Sequence, residues 1–428
     1  MRNGTDGRAI CSHHMRTTLI TLSALLTGYF MLQMSNGLQG TLLAVRGDTE
    51  GFDTAAIGLV ASGFFLGMIA GSLLAGRLIE SVGHVRTFAA LASVASAAAL
   101  VHLVVIHPVV WVGVRMLTGF CFAGLIIAVE SWLNASVQDR ERGKLLSIYA
   151  MVGFAGGATG QLLLDSADPE SYTLFVMVSI GLSLALVPIA LSRASAPVPQ
   201  VAQEAPSVAR LWRISPFGAV ATACAGATIG IFFGLAPVFA QRVGFDASQI
   251  AYLMAAGTLG GLIFQFPMGA LSDRIDRRWV CIGLALAASC LMIWLSAINR
   301  PSFSAALLIA LLMGGFLLPT ISIAVAHIND RAPPEALFAA AGGVVLVQGI
   351  GAASGPFLSG ALMDVFGPQG FIIGLGVVQA LIVAFALIRI VVQKAIEPEA
   401  KSAYTPTPVT PVEGGLQANL LLPDTESR

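Results

Sequence analysis

Charge is scarce in this sequence: acidic and basic residues make up 11% of the 428 residues, while 56% are hydrophobic. Soluble domains carry roughly a quarter charged residues, because a water-facing surface needs them. The shortage excludes an ordinary soluble domain, since the polar residues are too few to coat the apolar ones. Lysine is scarcer still, with only Lys144, Lys394 and Lys401. None sits in a GxxxxGK[ST] loop, which excludes ATP hydrolysis on such a loop. There is no basic domain, which excludes nucleic-acid binding. The five cysteines (Cys11, Cys121, Cys224, Cys281 and Cys290) show no CxxC or Cys/His spacing, so neither a metal site nor a disulfide framework is expected, and no cofactor. HExxH, GxSxG and paired mid-span carboxylates are missing too, which argues against an intramembrane enzyme.

What is present is apolar and comes in long packets. A helix rising 1.5 Å per residue needs about 20 residues to cross roughly 30 Å of hydrocarbon. Twelve stretches qualify: 17–44, 54–78, 84–106, 108–133, 142–165, 171–192, 215–241, 248–271, 278–298, 302–327, 336–362 and 368–392. Only helices and closed barrels satisfy every backbone group in lipid, and runs this long without alternation are helices. The expectation is an all-α membrane protein of twelve transmembrane helices.

The basic residues orient it. Of 23 lysines and arginines, Arg46, Arg242 and Arg300 fall beside odd-numbered loops and Arg115 lies inside a span; the rest sit in the tails and even-numbered loops. That bias predicts a multi-pass inner-membrane protein with both termini in the cytoplasm. Residues 1–16 read as a polar cytoplasmic tail leading into an uncleaved first helix. Residues 193–214, rich in Pro, Ala and Gln, read as a cytoplasmic linker between six-helix bundles at 17–192 and 215–393. Residues 394–428, with a TPTPVTP run, read as a disordered cytoplasmic tail.

The two halves repeat. Gly76-Arg-Leu-Ile-Glu80-Ser-Val-Gly83-His84-Val-Arg86 follows helix 2, and Gly269-Ala-Leu-Ser-Asp273-Arg274-Ile-Asp276-Arg277-Arg278 follows helix 8. Gly156-Gly-Ala-Thr-Gly160 in helix 5 matches Gly351-Ala-Ala-Ser-Gly355 in helix 11. Repeated halves with a cleft between them are the architecture of an alternating-access carrier.

The segment 269–278 resembles the loop motif of the major facilitator superfamily, with Asp276 in place of its second glycine. The copy at 76–86 is degenerate, with Glu80 for the aspartate and Ser81 for a basic residue. Arg115-Met-Leu-Thr-Gly119 resembles the family's intramembrane arginine motif. Gly351-x3-Gly355-Pro356 resembles its glycine-proline motif, and the equivalent stretch of helix 5, Gly156-x3-Gly160-Gln161, lacks the proline. Val129-Glu130-Ser131, Arg142-Gly143-Lys144-Leu145-Leu146, Tyr149-x-Met151 and Gly160-Gln161-Leu162-Leu163 are similar to the YcaD-like group of transporters. The resemblance covers about residues 17–392 and implies the two-bundle major facilitator fold, a small-molecule substrate and a monomer in the bilayer.

That fold implies roles for particular residues. Glu80 would face the start of helix 11 and Asp273 the start of helix 5, where free amides and the helix dipole stabilise a carboxylate by about 0.3–1 kcal/mol. With Gly76, Gly83, Arg86, Gly269, Arg274, Arg277 and Arg278 they would form a cytoplasmic latch that breaks when the carrier opens inward; plain positively charged loops are the alternative. Glycines four apart in helices 2, 5, 8 and 11 would serve the 2–11 and 5–8 contacts across the interface, or close packing in general.

Arg115 is the basic residue well inside a span, and such a residue is a candidate functional site. It binds a polar or anionic substrate, responds to a proton, or pairs with Asp165. Gln33, Asn36 and Gln39, three apart, form a polar stripe on helix 1. In this fold helices 1, 4, 7 and 10 line the cavity, so the stripe would meet substrate, with Phe232 and Phe233 of helix 7, Gln161 and Gln348 as further candidates. Glu130, then Asp165, are the candidate proton-coupling carboxylates. His327 is expected to be solvated near a loop. The leading function is a secondary active or facilitative carrier of a small polar or anionic, nutrient- or vitamin-like solute. Proton-coupled efflux of drugs or metabolites is the alternative, as is a facilitator-fold protein that does not transport and acts as a sensor or in lipid handling.

Overall fold

The structure, a computed structural model, describes residues 4–136, 142–191, 207–298, 301–333 and 336–393, together with 401, 404 and 406. Its helices are α1 (Gly4–Thr49), α2 (Thr54–Val82), α3 (His84–Val104), α4 (Pro108–Ala135), α5 (Arg142–Leu162), α6 (Thr173–Ala190), α7 (Pro216–Arg242), α8 (Ala247–Arg274), α9 (Arg277–Ala297), α10 (Phe303–Asn329), α11 (Leu337–Phe366) and α12 (Gln369–Val392). Among the described residues, eleven helices are long and apolar enough to cross a membrane. The twelfth is α1, whose middle carries Gln33, Ser35, Asn36 and Gln39. It lies in the same bundle, running beside α6 from Gly28, against the Ala185 carbonyl, to Arg46, which donates to the Pro169 carbonyl at 3.3 Å.

Two helices are interrupted. α6 breaks at Ala185, and α10 breaks at Leu318–Pro319. Proline there supplies no amide and crowds the carbonyl four residues back.

Each half is built the same way. α1 packs on α5 and α6, α2 on α4, and α3 on α4 and α6; α7 packs on α11 and α12, α8 on α10, and α9 on α10 and α12. The halves meet through α2 with α11, α5 with α8 and α1 with α7.

Of the two roles expected of the paired glycines, they serve close packing in general rather than the contacts across the interface. Gly67 lies so close to α4 that a β-carbon would stand 1.9 Å from the Met116 carbonyl oxygen. Gly160 meets Met34 of α1 in the same way, Gly257 lies against α10 and the Phe232 ring, and Gly351 meets Ala223 of α7. These contacts are inside the bundles. The interface contacts rest instead on Gly58 against Pro356, Gly360 against Thr54 and Gly349 against Ile69. Small residues let backbones approach wherever helices cross, and the sequence pattern does not say which crossing.

Three segments outside the spans take the following form. The first helix extends back to Gly4, so the described part of the expected N-terminal tail continues it. Of the predicted linker, 193–206 lies outside the described residues, while Val208–Ile214 is a short helix capped by Ser207, with Leu211 buried against Gly343 of α11. Most of the tail also lies outside them, but Lys401 and Tyr404 are docked. Lys401 donates to the carbonyls of Ser272, Asp273 and Ile275 at the end of α8, and Tyr404 lays its ring on Gly269. Unpaired carbonyls at a helix C-terminus attract a cation, so a tail of disordered composition still has a landing point.

Candidate functional site

A cavity of about 130 Å³ lies between the halves. α1 contributes Gln33, Asn36, Gly37, Gly40 and Thr41, and α4 contributes Arg115; α2, α5, α7 and α8 complete the wall. The expected ring of helices 1, 4, 7 and 10 is therefore changed. α10 supplies none of the lining residues, because Gly260 and Gly314 hold it tight against α8.

Arg115 is the centre of the site. It is 5% exposed and its guanidinium lies 4.2 Å above the Phe64 ring. One Nη donates to Gln39 Oε1 at 3.3 Å. Among the described residues no carboxylate lies within ion-pair distance of it. Pairing with Asp165 does not occur, since Asp165 accepts from Ser248 and Tyr252 of α8. A guanidinium has five donors in a planar fork suited to a carboxylate. Here the one side-chain acceptor shown for it is Gln39, and the residue lines the cavity.

The other candidates divide. Gln33, Asn36 and Phe233 line the cavity, as does Gln161, which accepts from Thr258 across the interface at 2.8 Å. Gln39 acts one step back, holding Arg115. Phe232 turns away to cover Gly257, and Gln348 is buried where α11 crosses Gly226 of α7, outside the lining. In both cases the neighbouring position along the helix faces elsewhere. His327 is not solvated: it is 2% exposed, edge-on to Phe217 at 4.9 Å, because α7 covers that end of α10.

Glu130 is linked to the cavity through residues that sequence reasoning did not select. It is buried and accepts from the Tyr149 hydroxyl at 3.2 Å. The Tyr149 ring stacks on Tyr29 with centroids 4.0 Å apart, and Gln33 Nε2 donates to the Tyr29 hydroxyl at 3.0 Å. Tyr29 sits one helical turn before Gln33, which is the one sequence signal that pointed to it.

The two ends of the molecule differ. At the end formed by the odd-numbered loops, Arg242 donates to Asp48 at 2.8 Å and Gln241 to Thr49 at 3.2 Å. Asp53 makes no side-chain cap for α2. Asp364 of α11 caps it instead, accepting from the Thr54 amide at 2.8 Å, the Ala55 amide at 2.9 Å and the Thr54 hydroxyl. In the matching place in the other half, Asp165 accepts from Ser248 and Tyr252 near the start of α8.

At the even-loop end Glu80, Arg86, Asp273 and Arg274 make no hydrogen bond or ion pair across the halves among the described residues. Glu80, Arg86 and Arg274 are exposed, space is open around Gly76, and Gly83 makes the α2–α3 turn at φ +87°. Asp273 pairs with Arg277 within its own half at 3.1 Å. Arg277, 1% exposed, also forks onto Asp330 of α10 at 2.7 and 3.2 Å. Arg278 binds Asp276 at 2.6 Å and the Arg389 and Gln393 carbonyls at the end of α12. Burial works to raise the Asp276 carboxyl, and the hydrogen bonds and charge of Arg278 outweigh it, holding it below the usual carboxylate value. The two arginines thus brace one half internally. No group of three or more His, Cys, Asp or Glu among the described residues is placed to hold a metal.

Comparison with known proteins agrees with this architecture. The family model described as Major Facilitator Superfamily matches residues 25–218 and 218–422. An uncharacterised MFS-type transporter, YcaD, of Escherichia coli O7:K1 is 27% identical over 358 residues, covering 82% of this chain and 91% of the relative. One from Enterobacter sp. (strain 638) is 27% identical over 391 residues, covering 90% and 97%. Among solved structures, the nucleoside transporter NupG superposes with a TM-score of 0.68 at 15% identity, over 88% of this chain and all of that one. A bacterial homologue of the human lysosomal transporter Spinster, inward-facing and occupied, gives 0.68 at 15% identity, over 90% and 98%. At such identity the structural likeness speaks for the fold, and the family match for membership. With two six-helix bundles around a shared cavity and a family model matching both, the chain belongs to the major facilitator superfamily of multi-pass membrane transporters.

Proposed function

We propose that this protein is an inner-membrane carrier that moves a small polar or anionic, nutrient- or vitamin-like solute by alternating access. The observation that carries this reading is Arg115: a buried guanidinium, without a carboxylate partner among the described residues, lining a cavity between the halves. A buried charge is costly unless paired, so a solute that supplies the partner gains affinity there. The basic residues favour cytoplasmic termini and a periplasmic position for the odd-numbered loops. On that orientation the engaged contacts seal the periplasmic side, and the unlatched Glu80 and Asp273 fit a cytoplasm-facing state of a monomeric carrier.

The Gln33–Tyr29–Tyr149–Glu130 connection favours proton coupling, because it joins a protonatable group to the solute site. The test is counterflow in proteoliposomes, with labelled vitamins, nucleosides, sugars, amino acids, organic anions and cationic drugs as solutes. Wild type is expected to exchange at least one class. Arg115→Ala is expected to lower that exchange by roughly 30-fold or more, the usual cost of truncating one side of a buried charge pair. A wild type that exchanges nothing across all classes would sink the carrier reading in favour of a non-transporting sensor. Glu130→Gln is expected to keep counterflow but lose accumulation driven by a pH gradient; accumulation equal to wild type removes Glu130 from coupling.

A further inference from the structure

Resting on the carrier reading above, we propose that the cavity takes a single-ring aromatic monocarboxylate with a hydrogen-bonding group on the ring edge away from its carboxylate. Four observations lead there. The first is charge. Among the described residues lining the cavity Arg115 is the one that is charged, so a solute with one negative charge is matched. A dianion brings one uncompensated charge into the interior, and a neutral molecule leaves the guanidinium unpaired.

The second is the shape of the charge. The guanidinium carbon lies over the Phe64 ring and one Nη donates to Gln39, which anchors the group at the cavity wall. That presents the planar fork that two carboxylate oxygens accept together.

The third is the wall and its size. Phe64, Phe65, Phe154 and Phe233 come from three helices, α2, α5 and α7, to surround the space. Such rings favour a flat apolar body in offset or edge-on contact. The room, about 130 Å³, suits one ring, since an engineered cavity of roughly 150 Å³ holds benzene.

The fourth is the far end. Gln33 and Gln39 stand six residues apart on α1, about 9 Å by helical rise, which is the scale of a benzoate with a substituent opposite its carboxylate. Gln33 commits its amide nitrogen to Tyr29, and Gln161 commits its carbonyl to Thr258. Between them they keep the Gln33 carbonyl as an acceptor and amide N–H groups as donors, which suit a hydroxyl, an amine or a ring nitrogen.

The test is calorimetric titration of the purified full-length protein with benzoate, 4-hydroxybenzoate, benzamide, acetate, phthalate and uridine. The expected order is 4-hydroxybenzoate tightest, benzoate roughly 10-fold weaker for one lost hydrogen bond, and benzamide, acetate and phthalate each at least roughly 10-fold below benzoate. Arg115→Gln is expected to erase the preference for benzoate over benzamide. Gly40→Val fills the ring space, because no atom lies within 4 Å of where its β-carbon would stand. It is expected to keep the thermal midpoint of wild type and lose benzoate binding. Benzamide binding as tightly as benzoate overturns the proposal, as does phthalate binding more tightly. Binding of uridine or acetate in place of the benzoates also overturns it, and in each of these cases the carrier reading survives. If counterflow detects no solute of any class, the carrier reading fails and takes the proposal with it.

Discussion

Arg277→Ala is expected to lose most of its folded, monodisperse protein on extraction in mild detergent, while Arg274→Ala, three positions earlier in the same motif, behaves as wild type. The two arginines look alike in sequence, but Arg277 is 1% exposed and forks onto Asp330, itself 2% exposed, whereas Arg274 is exposed. Arg277 also bonds Ser272 at 2.9 Å and Asp273 at 3.1 Å, so one side chain joins the end of α8, the start of α9 and the end of α10. Removing one partner of a buried pair costs about 3–5 kcal/mol, because the other charge stays buried without its counter-charge. That is a large share of the roughly 5–15 kcal/mol by which domains are stable. Arg277→Lys keeps the charge without the fork and is expected to fall between. Size-exclusion profiles and thermal midpoints of the three variants read the result. An Arg277→Ala protein that melts within a degree or two of wild type would show that the network is not structural.

The second large effect concerns which face is open. On the proposed carrier function and orientation, removing both odd-loop acceptors, Asp165→Ala with Asp364→Ala, is expected to shift the protein toward a periplasm-open state. Asp364 caps an α2 terminus that Asp53 leaves without a side-chain cap, and Asp165 holds two hydroxyls of α8. The Asp364 cap is typically worth about 1 kcal/mol and the Asp165 hydroxyl bonds about 1 kcal/mol more, so together they come to about 2 kcal/mol, or roughly 30-fold in a two-state equilibrium. Both aspartates are exposed residues, which keeps the figure at the modest end. A cysteine at the cavity position Thr41, in a background without the native cysteines, reports the change. Its labelling by an impermeant maleimide from the periplasmic face is expected to quicken by about that factor. Labelling at the wild-type rate would mean that helix packing, not these caps, holds the face closed.

Span number, repeat and charge asymmetry are local or cumulative properties, and all were legible in the sequence. So was Arg115, since a charge in a long apolar run stands out without knowledge of its neighbours. Gln33, Asn36 and Gln39 were visible as a stripe, although only contacts show that Gln39 supports Arg115 while Gln33 and Asn36 face the space. Adjacent residues were harder. Phe232 and Phe233 are about 100° apart around α7, and which of them meets the cavity depends on how the helix is rotated against its neighbours. The glycine pairs show the same limit, because close approach is required at any tight crossing.

By itself, then, the sequence determined a membrane protein of two repeated six-helix bundles with one charge buried between them. Composition, hydropathy period and repeat each require that much. The tertiary structure alone decided that Arg115 lies against Phe64 and Gln39 rather than beside Asp165, that Glu130 meets Tyr149, stacked on Tyr29, and that Asp48, Asp165 and Asp364 join the halves at the odd-loop end. Those facts depend on side chains meeting from helices far apart in the chain, and on which of two interconverting packings the bundles occupy. A single sequence encodes both packings, so only a three-dimensional arrangement distinguishes them.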